Sequence, residues 1–206
     1  PTQTIPQYLA QAMNADRSCQ NIVKEAALTR ALYGMTPCSS NTGSYCKARQ
    51  RLPASMVSGL VRHTGKHMAE AAPMSWHWNG RPVRLIDGTT VELPDSDENK
   101  QTYPQSSKGS GCPLSRIVGI ICLASGALLN AATGPFSGKG SGEQTLLRTM
   151  LDTFAAGDIV LGDAYYSTYF LLAELTARHV DAVFEQYGAR KRSVDFRRGE
   201  KLGKKD

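Results

Sequence analysis

The sequence predicts an α/β protein in which a mixed sheet with flanking helices follows a small N-terminal helical module. Apolar residues recur at helical spacing over the first 75 residues, alternate with polar ones over residues 81–93, and then switch between strand and helix patterns up to residue 185. With 41% hydrophobic and 20% charged side chains among 206 residues, the chain is too apolar to remain disordered. A globular core is therefore expected.

The helical module is expected over residues 1–75. Ser18 can cap a helix that runs to about Leu32, and a loop rich in Ser, Asn and Gly follows. A basic stretch at residues 45–52 precedes Pro53, which suits the first turn of another helix. These features predict a module with a basic face.

Three strands joined by hairpins are expected next. They are predicted at residues 81–93, 116–124 and 127–133, and Ser125 and Gly126 suit the tight turn between the last two.

Helices and strands alternate after the hairpins. Ser141 and Gln144 fit a capping box at the start of a helix that carries Phe154 and ends near Gly157. The remaining elements are a strand at 158–163, a helix at 167–177 and a strand at 180–185. Hairpin-connected strands followed by alternating helices and strands describe an RNase H-like sheet.

The formal charge of +6 is unevenly distributed. Residues 1–82 carry nine Lys and Arg and three acids, so this part is basic. Residues 83–187 carry seven Lys and Arg and twelve acids, so the centre is acidic. Residues 188–206 are basic again, with eight Lys and Arg and three acids. Basic flanks attract polyanions and clustered acids can hold divalent cations, and a nucleic-acid phosphodiester requires both. Taken alone, the charge also fits a pair of solvated basic faces.

Membrane and secretory classes are not favoured. The longest nearly apolar stretch, from Ile117 to Ala132, is interrupted by polar residues and is shorter than the about 20 apolar residues of a membrane-spanning helix. Five cysteines without a CxxC pair favour a reducing cytoplasm. A start at Pro1 and an end at Asp206 without a closing apolar segment lead us to expect a fragment or a truncated product.

Two aspartates carry the predicted chemistry. Asp87 lies at the centre of the first strand, where a buried carboxylate is costly unless its charge is compensated. Asp163 ends a short apolar strand, and carboxyl ends of strands are where open α/β sheets place their sites. If the two strands are neighbours, the carboxylates repel each other and gain from a bound Mg²⁺. Each aspartate taken alone also fits a cap or turn residue.

Three segments in order resemble the bacterial DDE transposases of the insertion sequence 4 family. They are SYCKARQRLP at residues 44–53, LIDGTTVELP at 85–94 and VLGDAYYSTYF at 160–170. The resemblance implies an RNase H-like catalytic core at residues 80–187 that binds Mg²⁺ or Mn²⁺, cuts the ends of its own element and joins them to target DNA. It places the first two catalytic, metal-binding acids of the family at Asp87 and Asp163.

The third acid of that family is a Glu on a later helix, in the pattern Tyr-x2-Arg-x3-Glu-x6-Lys. Tyr187 and Arg190 begin such a pattern, but Val194 stands at the position of the Glu. The resemblance therefore implies that residues 188–206 begin an insertion subdomain and that the chain stops before the third acid. We expect such a chain to bind DNA weakly and to catalyse little or nothing, because single losses from a site that acts as a unit remove most of the rate.

The resemblance also implies DNA as the partner, both as element ends and as target, with a homodimer formed on DNA and a place in the bacterial cytoplasm at the nucleoid. The expected contacts to DNA phosphates are Lys47, Arg49, Arg51, Arg190, Lys191 and Arg192. Two alternatives stay open: an RNase H-like nuclease without strand transfer, and an inactive remnant or DNA-binding regulator.

Overall fold

The computed structural model describes residues 3–104 and 111–185, and the predictions for residues 186–206 lie outside these ranges. The α-helices of the described residues are α1 (Thr4–Met13), α2 (Cys19–Leu32), α3 (Thr42–Gln50), α4 (Ala54–Glu70), α5 (Asp97–Thr102), α6 (Glu143–Arg148) and α7 (Tyr169–Ala177). The strands are β1 (Val83–Glu92), β2 (Leu114–Cys122), β3 (Leu128–Pro135), β4 (Ile159–Gly162) and β5 (Asp181–Phe184).

The chain divides into two compact units, residues 1–57 and residues 58–206. The division falls within α4, whereas the sequence places the end of the helical module at residue 75. The assignment of the two parts to DNA binding and catalysis stays a prediction.

The first unit packs α1, α2 and α3 around a small core. Ile22, Val23 and Tyr45 form this core, and the Tyr45 hydroxyl donates to Gln11 Oε1 at 2.7 Å. The predicted cap of α2 is confirmed, because Ser18 Oγ accepts the Asn21 N–H at 3.1 Å.

The second unit is built on a five-stranded mixed sheet. The strand order is β3-β2-β1-β4-β5. The hairpin-connected strands β1, β2 and β3 pair antiparallel, and β4 joins β1 and β5 in parallel. The predicted mixed α/β sheet is therefore confirmed, including the hairpin turn at Gly126, which has a φ of 69°.

Helices α6 and α7 cover one face of this sheet. Leu146 and Leu147 from α6, and Leu171 and Leu175 from α7, pack with buried residues of β1, β2 and β4 in one core. Alternation along the strands fixes which side chains reach it. Ile86 of β1 is on this buried face, so its neighbour Asp87 is on the other one.

The start of α6 differs from the prediction. Gly142, rather than Ser141, is the residue before the helix, and Ser141 Oγ donates to Gly138 O at 2.7 Å. Gln144 donates to Tyr165 O instead of closing a capping box. The helix ends at Arg148 and a separate 3₁₀ turn follows at Leu151–Thr153, so the predicted single helix ending near Gly157 is wrong.

Helix α4 lies against β3 at a glycine. A Cβ on Gly65 would overlap the carbonyl oxygen of Leu128, which belongs to the backbone and cannot rotate away. On Gly59 of the same helix, a Cβ would have no neighbouring atom within 4 Å. The two glycines therefore form a matched pair for testing this contact.

Gly65→Ala is expected to destabilise the protein by about 1–3 kcal/mol because the added methyl group overpacks the contact with β3. Gly59→Ala is expected to be neutral or stabilising by up to about 1 kcal/mol, because Ala favours the helix and meets no neighbour. Urea denaturation of both variants measures the difference. Equal midpoints would contradict the packing of α4 on β3.

Within the two described stretches, we find no helix with the length and apolar character required to cross a membrane.

Candidate active site

The two predicted aspartates lie just beyond the point where the parallel strands β1 and β4 stop pairing. The last residue pair between β1 and β4 is Leu85 with Leu161. Asp87 and Asp163 each stand two positions beyond that pair, and Asp163 keeps an extended backbone. Because side chains alternate along strands, both residues belong to the side of the sheet that carries the paired leucines. Neighbouring strands lie about 4.8 Å apart, so this register brings the two residues side by side.

Each carboxylate is oriented by a backbone hydrogen bond to one oxygen. Asp87 Oδ1 accepts the N–H of Gly88 at 2.8 Å, and Asp163 Oδ1 accepts the N–H of Tyr165 at 2.9 Å. Within residues 3–104 and 111–185, no hydrogen bond engages the second oxygen of either carboxylate. These second oxygens are therefore available to a ligand.

The environment of Asp87 differs from the sequence-based expectation. The centre of a strand predicts a buried carboxylate, yet Asp87 is exposed, as is Asp163. The reason is that β4 stops pairing with β1 at Leu85, so β1 runs on past its neighbour. The site is an open shelf formed by Asp87 and Asp163 where β1 continues past the end of β4, and the predicted burial of Asp87 is wrong.

The carboxylate pair fits a divalent cation of the Mg²⁺ type. In proteins Mg²⁺ is held by one or two carboxylates, keeps several waters and takes further ligands from substrate phosphates. Among the described residues, no group of three or more His, Cys, Asp or Glu side chains could hold a metal ion. Asp87 and Asp163 would therefore share an ion with water or phosphate oxygens.

A third carboxylate, Glu143, lies behind β1. A Cβ on Gly88 would lie 2.5–2.8 Å from the carboxylate atoms of Glu143, so a side chain at this position would displace the carboxylate. The Tyr166 hydroxyl donates to Glu143 Oε2 at 3.2 Å, and Arg116 Nε lies 3.8 Å from Glu143 Oε1. No local pattern in the sequence identifies Glu143 as the group that approaches β1 here.

Tyr166 is the buried phenol next to these acids. Burial raises its pKa far above the ordinary tyrosine value, and the charge and hydrogen bond of Glu143 raise that pKa further. Asp163 and Asp87 add smaller contributions of the same sign. The phenol therefore stays protonated and donates its hydrogen bond, which agrees with packing rather than a nucleophilic role.

An ion pair holds β1 and β4 together at the opposite end of their contact. Arg84 Nε lies 3.2 Å from Asp158 Oδ2, and Asp158 is only 2% exposed. Asp158 also accepts the Ala155 N–H at 3.0 Å. Since Arg84 is on β1 and Asp158 immediately precedes β4, the pair stabilises the strand contact that aligns Asp87 with Asp163.

The basic residues predicted to contact DNA fall into different situations. Lys47 and Arg51 are exposed at the C-terminal end of α3. Arg49 is engaged inside the first unit: its Nη1 donates to Gln11 Oε1 at 3.0 Å, and its guanidinium lies over the rings of Tyr8 and Tyr45. The remaining predicted contacts, Arg190, Lys191 and Arg192, lie outside the described residues.

The mixed five-stranded sheet and its flanking helices define an RNase H-like α/β domain. Residues 78–206, more than half of the chain, match the family described as "Transposase DDE domain". The chain therefore belongs to this family of transposase domains. Members of the family generally use a divalent metal ion.

Two curated relatives come from Escherichia coli K12. The chain is 29% identical over 136 residues to a protein named as a transposase, InsZ, covering 64% of this chain and 44% of the relative. It is also 29% identical over 131 residues to transposase InsG of insertion sequence element IS4, covering 62% of this chain and 29% of the relative. The chain thus spans less than half the length of either relative.

A looser likeness is found among solved structures. A chain in the cryo-EM structure of a simian T-cell lymphotropic virus intasome with the PP2A regulatory subunit B56 gamma has a TM-score of 0.34 and 11% identity, over 50% of this chain and 31% of that one.

Proposed function

We propose that this chain is the catalytic-domain part of a transposase that binds DNA, cuts the ends of its element and joins them to target DNA, with Mg²⁺ or Mn²⁺ held by Asp87 and Asp163. The observation that carries the proposal is the register of β1 and β4, which sets both aspartates at one level of the sheet. Membership of the transposase domain family supports the reaction class. The partners would be element ends and target DNA, bound by two copies of the chain at the bacterial nucleoid.

The aspartates would perform the binding and orienting parts of the reaction. The backbone N–H groups of Gly88 and Tyr165 hold one oxygen of each carboxylate, so the second oxygens would bind a common ligand with little further loss of side-chain freedom. When bound, a divalent ion would activate the attacking water or hydroxyl and stabilise the leaving oxygen.

The negative charges of Asp87 and Asp163 would keep DNA away from the site unless a cation is bound there. Two exposed negative charges repel a phosphodiester, and this repulsion disappears only when a cation lies between them and the phosphate. Among the described residues Asp87 and Asp163 are exposed, so a DNA strand would reach the shelf from that side of the sheet.

DNA contacts outside the shelf would come from the first unit. Residues 1–57 carry six Lys and Arg against two acids, and Lys47 and Arg51 are the exposed cations of the motif at residues 44–53. A cation that meets a phosphate releases one counterion, so it contributes about one unit to the salt dependence of binding. Arg49 would instead act by holding α3 to α1.

The double variant Lys47→Ala/Arg51→Ala is expected to weaken DNA binding and to reduce the slope of log affinity against log salt by about two units. Fluorescence anisotropy with a labelled duplex over a salt series measures this slope. Arg17→Ala/Lys24→Ala is the matched control, since it removes the same charge from exposed positions of the same unit. An unchanged slope, or an equal change in the control, would exclude these contacts.

The proposed function is tested by the effect of divalent ions on DNA affinity, measured with EDTA and with Mn²⁺ for the wild type, Asp87→Asn and Asp163→Asn. A transposase site predicts that Mn²⁺ strengthens wild-type binding and that either substitution removes this gain. If the affinity for DNA changes neither with EDTA nor with either substitution, the chain is a DNA-binding regulator instead. If a duplex with a 3′ hydroxyl is hydrolysed but never joined to a plasmid, the chain is a nuclease.

A further inference from the structure

The contact between β1 and β4 ends before the aspartates. The last paired residues are Leu85 and Leu161, two positions short of Asp87 and Asp163. Beyond them no backbone ladder fixes the separation of the two carboxylates, although two ligands of one cation must be held at a defined distance. Some other contact has to join β1, at Asp87 and Gly88, to the turn that begins at Asp163.

Glu143 makes contacts on both sides of this gap. Its carboxylate lies on the backbone of β1 at Gly88, where a Cβ would come within 2.5 Å of Glu143 Cδ. Its Oε2 accepts the hydroxyl of Tyr166, at 3.2 Å. Gly88 directly follows Asp87, and Tyr166 closes the 3₁₀ turn Ala164–Tyr166 that follows Asp163.

The carboxylate itself is held in place. It belongs to the first residue of α6, whose leucines are buried in the core. Arg116 on β2 lies 3.8 Å from Oε1, and Arg116 Nη1 donates to Ser141 O at 2.9 Å, just before the helix. The Glu143 side chain, 27% exposed, is therefore fixed from its helix, from β2 and from Tyr166.

The position of Glu143 relative to the sheet shows whether it can bind the same cation as Asp87 or only support the site. The side chain that Gly88 lacks would point to the buried face of the sheet, with Ile86, whereas Asp87 belongs to the opposite face. Glu143 thus reaches β1 from behind, which agrees with the absence of a three-group metal cluster among the described residues. Glu143 therefore acts on the site through the residues next to Asp87 and Asp163, and not as a ligand of the cation.

We infer that Glu143 is a positioning residue of the site: by contacting Gly88 and Tyr166 it joins the middle of β1 to the Asp163 turn and sets the separation of Asp87 and Asp163. The inference rests on the proposed cation site at these two aspartates. It assigns a function to the fixed acid of α6 and gives Gly88 a reason to lack a side chain.

Mn²⁺ titration by isothermal calorimetry tests this role. Glu143→Ala is expected to raise the Mn²⁺ dissociation constant about 10-fold, as loss of a supporting residue commonly does. Glu143→Gln, which keeps the acceptor for Tyr166, is expected to restore part of the affinity. Glu174→Gln is the matched control and should bind like the wild type, because Glu174 is a partly exposed acid of α7 that pairs with Arg148 of α6.

A double-mutant cycle with Gly88→Ala separates positioning from general damage. The new methyl group would displace the Glu143 carboxylate, so Gly88→Ala should weaken Mn²⁺ binding in the wild type but add little to Glu143→Ala. Unfolding midpoints of all variants show which remain folded. If Glu143→Ala does not fold, Glu143→Gln takes its place in the cycle.

Two results would overturn the inference. If Asp87→Asn loses Mn²⁺ affinity while Glu143→Ala and Glu143→Gln bind like the wild type, or if the effects of Gly88→Ala and Glu143→Ala simply add, the positioning role is wrong and the cation site stands. If the wild type binds no Mn²⁺, or Asp87→Asn binds it equally well, the proposed function fails and this inference fails with it.

Discussion

Replacing Asp87 with Asn is expected to weaken Mn²⁺ binding about tenfold or more, which corresponds to about 1.4 kcal/mol or more. The substitution keeps the shape of the side chain and an oxygen that can accept the Gly88 N–H, so the backbone at the shelf should persist. It removes one of the two charges that attract the cation. Asp163→Asn is expected to act in the same way, because that residue is at the same level of the neighbouring strand.

Calorimetric titration with Mn²⁺ measures this effect, and Glu92→Gln provides the control. Glu92 is an exposed acid at the far end of the same strand, so its loss changes the net charge equally without touching the shelf. Equal Mn²⁺ affinities of Asp87→Asn and Glu92→Gln would show that Mn²⁺ binding depends on the net charge of the protein and not on a site at Asp87.

Asp158→Asn is expected to destabilise the fold by about 3–5 kcal/mol, the usual cost of breaking a buried ion pair by removing one partner. Asp158 is 2% exposed and the side chain of Arg84 is 14% exposed, so the substitution leaves a guanidinium without its counter-charge in a poorly solvated place. Because this pair joins β1 to the start of β4, the alignment of the two catalytic candidates should weaken with it.

Urea denaturation checks this expectation, with Asp181→Asn as the matched control. Asp181 pairs with Arg81 at 2.7 Å, but its side chain is 69% exposed, and exposed pairs contribute about 0–1 kcal/mol. A loss in Asp158→Asn no larger than that in Asp181→Asn would contradict the role assigned to the buried pair.

Local patterns predicted the two strands that carry the aspartates but not how those strands meet. Alternation identifies β1, and a short apolar run identifies β4, because both signals are contained in neighbouring residues. Which strands pair, and where the pairing stops, depends on contacts between residues that are far apart along the chain. The exposure of Asp87 follows from the end of the ladder at Leu85, so no local pattern could reveal it.

The beginning of α6 illustrates a second limit. Ser141 and Gln144 have the spacing of a capping box, but each finds a different partner in the folded chain: Ser141 bonds back to Gly138, and Gln144 reaches Tyr165 and Thr168. Tertiary contacts thus replace the local ones. Glu143, between them, has no local signal for a role near Gly88, since that contact exists only once the helix is placed on the sheet.

Arg49 shows the same limit within the basic motif. Its charge and its place between Lys47 and Arg51 indicate a phosphate contact, yet its guanidinium is used within the first unit by Gln11 and two tyrosine rings. Counting charges along a helix does not reveal which of them the fold has already paired.

Iron-directed cleavage of the polypeptide would locate a cation bound at the shelf. Fe²⁺ can replace Mg²⁺ at oxygen ligands, and with ascorbate and peroxide it produces radicals that cut the backbone near the bound ion. We predict cuts close to both Asp87 and Asp163, suppressed by excess Mg²⁺ and absent from Asp87→Asn. Cuts confined to other segments, or an unchanged pattern in Asp87→Asn, would contradict a cation site formed by these two aspartates.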